Sequence, residues 1–145
     1  MTNKKYNEKA INDVYKNAHI ALQSLSDLIP SVKNKELKKE LKDEREGYQK
    51  MLNEISAFME GNNLEPKDIG VFQKAFMWCS IKTKVLLNNS RNQVAEMMIK
   101  GTVMGITELT AMKNESKNLD EGVKTLVEKL LKLEENYQEK LKAYL

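Results

Sequence analysis

Residues 43–52 read DEREGYQKML, and residues 134–141 read EENYQEKL. In both, Tyr is followed by Gln, and Leu stands four places after the Tyr: Tyr48, Gln49, Leu52 and Tyr137, Gln138, Leu141. Four residues is little more than one helical turn, so each Tyr and its Leu share a face. Centring the first stretch on Tyr48 places Leu37, Leu41, Glu44, Leu52, Ile55 and Met59 on one buried side. Arg45 falls on the edge of that side, and Glu46 points nearly opposite. The second stretch gives a face of Val123, Val127, Leu130, Glu134, Tyr137, Leu141 and Leu145, with Glu135 turned away. A polar cluster carried inside two amphipathic helices is where a helical protein builds a site.

The chain outside these stretches is helical in pattern too. Ile11, Val14, Ala18, Leu22, Leu25 and Ile29 step by three and four, which predicts a helix over residues 5–28. Pro30 ends it, because the residue before a proline is pushed out of the helical region. Ser31 or Asn34 is placed to cap the next helix, expected over residues 35–60. Gly61, Asn62 and Asn63 form a stop. Pro66 reopens a third helix to residue 87, carrying Ile69, Phe72, Phe76, Met77, Trp78, Ile81 and Val85 as a crossover. Ser90 to Gln93 has capping-box spacing ahead of a helix reaching residue 113. Gly101 and Gly105 there have the spacing for close approach of a neighbouring helix. Of Met97, Met98, Met104 and Met112 on the same helix, most are expected on or near the buried face as core packing. Asn118, with Glu121 three places on, caps a last helix that runs to the C-terminus.

The 145 residues are enough for one domain, 1–145, with a real core. Charged residues make up 31% and the net charge is +3. Both signs alternate at helical spacing, as in Lys38, Lys39, Glu40, Lys42 and Asp43. That is a solvated face and not the one-signed stripe a nucleic acid needs. The single cysteine, Cys79, sits in an apolar run and reads as a buried small hydrophobe. No apolar run approaches a membrane span and the N-terminus has no apolar leader segment, so a cytoplasmic location is expected. Phosphate-loop, dinucleotide, zinc-protease and Cys-x-x-Cys motifs are absent from the sequence.

An internal repeat joins these pieces. Residues 18–28, AHIALQSLSDL, align with residues 99–109, IKGTVMGITEL, in the same order as the Tyr-Gln echo. Two similar helical hairpins joined by a long connection make an all-α, antiparallel four-helix bundle with an additional crossover helix between its second and third helices. In this pattern the chain resembles the ferritin-like superfamily, and within it the small bacterial families of unknown function whose hairpins are bridged by a short extra helix.

The resemblance implies a place for metal. Its metal-binding members take one Glu from each of two helices and a Glu-x-x-His from each of the other two. Laid on this sequence, the His positions become Tyr48 and Tyr137, and the Glu positions before them become Arg45 and Glu134. The central inward positions of the other helices are Ala21 or Leu22 and Thr102 or Val103. Only Glu134 is a matching ligand. His19, the single histidine, stands beside the buried face of its helix and reads as structural. A carboxylate-only site would use Glu44 and Glu134, joined by Glu96 or Glu108, with a permanently charged arginine beside it.

The expectation is therefore a metal-free polar core cluster of Arg45, Tyr48, Glu134, Tyr137 and Glu44, with an arginine–carboxylate pair at its centre and no cofactor. The function expected is non-enzymatic: a structural, stress-associated or assembly protein, with a homo-oligomer as its form and a dimer favoured. The Lys- and Asn-rich composition suits an AT-rich bacterial genome. Two alternatives are a ferritin-like oxidase or storage protein holding iron or manganese on an atypical carboxylate site, and a small-molecule binder with a pocket beside the tyrosines.

Overall fold

The structure, a computed structural model, describes residues 3–65 and 90–145. The helix expected over residues 68–87, with Trp78 and Cys79, lies outside the described residues. The described chain is all-helical. Its long helices are α1 (Asn3–Leu28), α2 (Lys35–Gly61), α3 (Arg91–Asn114) and α4 (Glu121–Lys142), with short 3-10 turns at Ile29–Ser31 and Ser116–Asn118. No described helix is long and apolar enough to cross a membrane.

Local chemistry sets the boundaries. Pro30 turns the end of α1 into a 3-10 turn closed by the Val32 N–H on the Ile29 carbonyl (3.1 Å). Asn34 then caps α2, its Oδ1 accepting from the Leu37 N–H at 2.9 Å. At the other end of α2 the left-handed residue is Asn63 (φ 55°) and not Gly61, and the Leu64 N–H closes back on the Met59 carbonyl at 2.8 Å.

Two expected caps are different. Ser90 precedes α3 but its side chain makes no capping bond, and the Gln93 N–H is taken by Asn92 Oδ1 and the Ser90 carbonyl. Asn118 belongs to the 3-10 turn, so Asp120 is the residue before α4. Help comes from far away in sequence: Asn7 of α1 accepts from the Asp120 N–H (2.8 Å) and donates to the Asn118 carbonyl (3.4 Å).

The core is one cluster shared by all four helices, running from Ile11, Val14 and Leu25 through Leu37, Leu41, Ile55 and Met59 to Leu109, Val127, Leu130 and Leu141. Burial of these side chains removes apolar surface from water, the main favourable term in holding the helices together. The packing is most extensive within two pairs, α1 with α2 and α3 with α4. Contacts at the helix ends tie the pairs to each other. Tyr6 near the start of α1 reaches Glu115 just past α3 (3.1 Å), and Phe58 late in α2 abuts Gly122 at the start of α4. At the opposite end the Tyr144 hydroxyl, just past α4, donates to the Glu36 carbonyl of α2 (3.4 Å), while within the second pair Arg91 donates to the Tyr144 carbonyl (3.1 Å).

The faces predicted for α2 and α4 are the buried ones, except that α4 stops at Lys142 and leaves Leu145 exposed. On α3 the methionines divide. Met97, Met98 and Met112 pack against the core, whereas Met104 is 70% exposed and so does not belong to it.

Candidate functional site

The polar cluster lies where the two helix pairs meet. Tyr48 of α2 and Glu134 of α4 are both buried, and the Tyr48 hydroxyl donates to Glu134 Oε2 at 2.8 Å. The Tyr48 and Tyr137 rings stand 5.5 Å apart and tilted by 52°, an edge-leaning geometry that aromatic pairs favour. On the far side of Glu134 are Asn17 of α1 and Gly105 of α3, joined by a bond of 3.2 Å from Asn17 Nδ2 to the Gly105 carbonyl. The Asn17 amide also approaches the Glu134 carboxyl. One layer thus takes a residue from every helix.

Two glycines make the layer fit. A Cβ on Gly105 would stand 2.8 Å from both carboxyl oxygens of Glu134, so the carboxyl lies flat against bare backbone. A Cβ on Gly47 would overlap the Tyr137 hydroxyl. The Gly105 half of the glycine pair in α3 thus makes the expected close approach. Gly101 does not, because nothing lies within 4 Å of where its Cβ would be.

Burial controls the charge state. Glu134 is 2% exposed and Glu44 1%. Desolvation pushes Glu134 up to about 8, opposed by the Tyr48 hydrogen bond and assisted by Glu108. Desolvation pushes Glu44 up to about 9, with Glu40 adding to it and Lys140 opposing it. Burial thus favours the neutral form of both carboxyls. Glu134 Oε1 and Glu44 Oε2 have no hydrogen-bond partner among the described residues, which a neutral acid tolerates far better than an anion. The phenols follow: Tyr48 lies well above its ordinary value, and Tyr137 is pushed up to about 12, in both cases chiefly by burial.

The structure brings Tyr48, Glu134 and Tyr137 together and buries Glu44 one turn before Tyr48. It does not bring in Arg45. That side chain is half-buried, and among the described residues it forms no ion pair with either acid. The expected arginine–carboxylate pair is replaced by a phenol–carboxyl hydrogen bond. The reason is helical phase: Arg45 is about 100° around the helix from Glu44, on the rim of the buried face. His19 stacks on Tyr15 at 5.8 Å, away from the cluster, and burial lowers its pKa.

The sequence reading missed Asn17 and placed the inward centres of the other two helices elsewhere. Of its four candidates, Thr102 is buried, Val103 is exposed and Ala21 and Leu22 are half-buried. The available signal was the phase of α1. Asn17 lies about a turn from Val14 and Ala21 on the face that the apolar residues mark.

These residues do not fit a carboxylate–histidine metal centre. Both histidine positions are phenols, the one matching acid has an oxygen taken by Tyr48, and its carboxyl faces Gly105 backbone. No protein-family model, no curated protein and no solved structure matches this chain.

Proposed function

We propose that this chain is a metal-free, non-enzymatic helical-bundle protein of ferritin-like type with a structural, stress-associated or assembly role in a bacterium, acting as a homo-oligomer and most simply a dimer. The observation that carries this reading is the Tyr48–Glu134 hydrogen bond, buried between the two helix pairs and pressed onto Gly105. A catalytic or metal-loading centre keeps donor atoms directed at an open position. Here Glu134 Oε2 is taken by Tyr48 and the carboxyl is pressed onto the Gly105 backbone, and a polar contact of this kind between helices fixes their register.

An antiparallel four-helix arrangement in a single domain is supported by the contacts at the helix ends. The start of α1 meets the end of α3, and the end of α2 meets the start of α4. A long crossover is supported by its flanks: α2 finishes beside Gly122, whereas α3 starts beside Tyr144, at the opposite end of α4.

Elemental analysis of the natively purified chain, with a ferrous oxidation assay, tests the function. The expected result is iron and manganese well below one per chain and no oxidation above the buffer rate. Stoichiometric metal that disappears in Glu134→Ala would replace this reading with the metal-binding alternative.

A further inference from the structure

The bonds of the polar layer all run between the helix pairs. Tyr48 of α2 reaches Glu134 of α4, and Asn17 of α1 reaches Gly105 of α3. Gly47 of α2 meets Tyr137 of α4, and Glu44 is buried one turn from it. The layer is therefore the polar part of the seam along which α1 and α2 dock onto α3 and α4.

We propose that this seam is a proton-held latch: the two helix pairs dock tightly while Glu44 and Glu134 carry their protons, and ionisation of these carboxyls loosens the docking. It rests on the metal-free reading of the same layer.

The surroundings of each carboxyl carry the argument. Around Glu134, α2 supplies the Tyr48 phenol, α3 supplies Glu108 and α1 supplies the neutral Asn17. Lys9, Asp13 and Lys16 of α1 stand beyond, around Glu108. Around Glu44, α2 supplies Glu40 and Asp43, and α4 supplies the Tyr137 phenol and Lys140. The Lys140 ammonium lies 6.0 Å from the Tyr137 ring centroid and belongs to an exposed side chain. Neither carboxyl forms an ion pair among the described residues, and each has one oxygen without a partner. In this buried seam an anion at Glu134 would face Glu108, with only the Tyr48 phenol and the Asn17 amide to ease it, and one at Glu44 would face Glu40 and Asp43, opposed only by the ammonium of the exposed Lys140. Such an anion has two ways to lower its energy: rebind a proton or reach water, and reaching water means parting the helix pairs.

The direction in pH follows from linkage. A carboxyl that is neutral in the fold but ionised in the open chain stabilises the fold fully below its ordinary value of 4.5. That contribution is lost as pH rises, until the carboxyl ionises in the fold as well, near 8 for Glu134 and near 9 for Glu44.

The test follows thermal unfolding by circular dichroism, and binding of an apolar dye, from mildly acid to alkaline pH. Wild-type chain, Glu44→Gln, Glu134→Gln, the double variant and the surface control Glu135→Gln are compared. The expected result is a wild-type Tm that falls, and dye binding that rises, as pH increases, with Glu135→Gln behaving alike. The double variant should lose more than half of that slope. A double variant that keeps the wild-type slope overturns the proposal. Should the glutamine variants fail to fold, infrared spectroscopy of the wild-type chain decides. A protonated-carboxyl C=O band at neutral pH that vanishes on alkalinisation supports the latch, and its absence at neutral pH overturns it. Elemental analysis of the same preparation separates failure of the latch from failure of the metal-free reading.

Discussion

The phenol of Tyr48 and the carboxyl of Glu134 depend on each other in a way that Tyr137 does not share. Tyr48 donates to Glu134 Oε2 with both residues buried, whereas among the described residues no hydrogen bond of the Tyr137 hydroxyl accompanies its contact with Gly47. Removing the donor alone leaves a desolvated carboxyl with neither oxygen bonded to Tyr48, and such losses cost about 1–3 kcal/mol. Tyr48→Phe is therefore expected to lower stability by that amount in urea unfolding, with an unchanged m-value. Tyr137→Phe keeps the ring packing and gives up less, about 0.5 kcal/mol or under. Equal losses in the two variants would remove the special standing of the Tyr48–Glu134 bond.

The helix α3 carries a natural experiment in its two glycines. Gly101 is exposed in mid-helix with open space around it, and Gly105 lies under Glu134. Glycine in a helix interior costs about 0.5–1 kcal/mol relative to alanine. Gly101→Ala is expected to raise Tm, recovering that amount. Gly105→Ala gains the same propensity but drives its methyl into the buried carboxyl, an overpacking that costs about 1–3 kcal/mol, so Tm should fall. Opposite signs of the two Tm shifts are the result to look for; a Gly105→Ala chain more stable than wild type would contradict the flat contact between carboxyl and backbone. This helix also shows where sequence stops informing. On α2 and α4 the apolar residues recur on one side only, so with Tyr48 as the centre of the face the helical period alone predicts the burial of Leu37, Leu41, Glu44, Leu52, Ile55 and Met59, and all are buried. On α3, apolar and small residues occur on both sides, with Val103 46% and Met104 70% exposed, so its phase was ambiguous. The depth at which one helix slides against another is not written in either helix. That is why Asn17 and Gly105, and not Ala21, Leu22 or Val103, meet Glu134. The absence of an Arg45 ion pair has a related cause, since a residue on the rim of a face can turn either way until its neighbours are known.

At the scale of the whole molecule, the register between the helix pairs is held at the polar layer and at the two ends. The end near Asn7 is the stronger tie, because it is a helix cap supplied across the fold. Asp120 precedes α4 without a side-chain cap of its own, and the buried Asn7 accepts its N–H at 2.8 Å while donating to the Asn118 carbonyl. Losing an N-terminal cap costs about 0.5–2 kcal/mol, and here the same change also strands the Asn118 carbonyl. Tyr6, one residue earlier, makes its bond to Glu115 at the surface, where such bonds contribute little. Asn7→Ala is therefore expected to destabilise by about 1–2 kcal/mol, which for a chain of this size lowers Tm by roughly 2–4 °C per kcal/mol. Tyr6→Phe should stay within about 0.5 kcal/mol. Amide hydrogen exchange locates the effect. Loss of protection in the first turn of α4, with the centre of α2 unchanged, is the expected pattern for Asn7→Ala. A uniform loss across all four helices would mean that Asn7 acts on the global fold and not as the cap of α4.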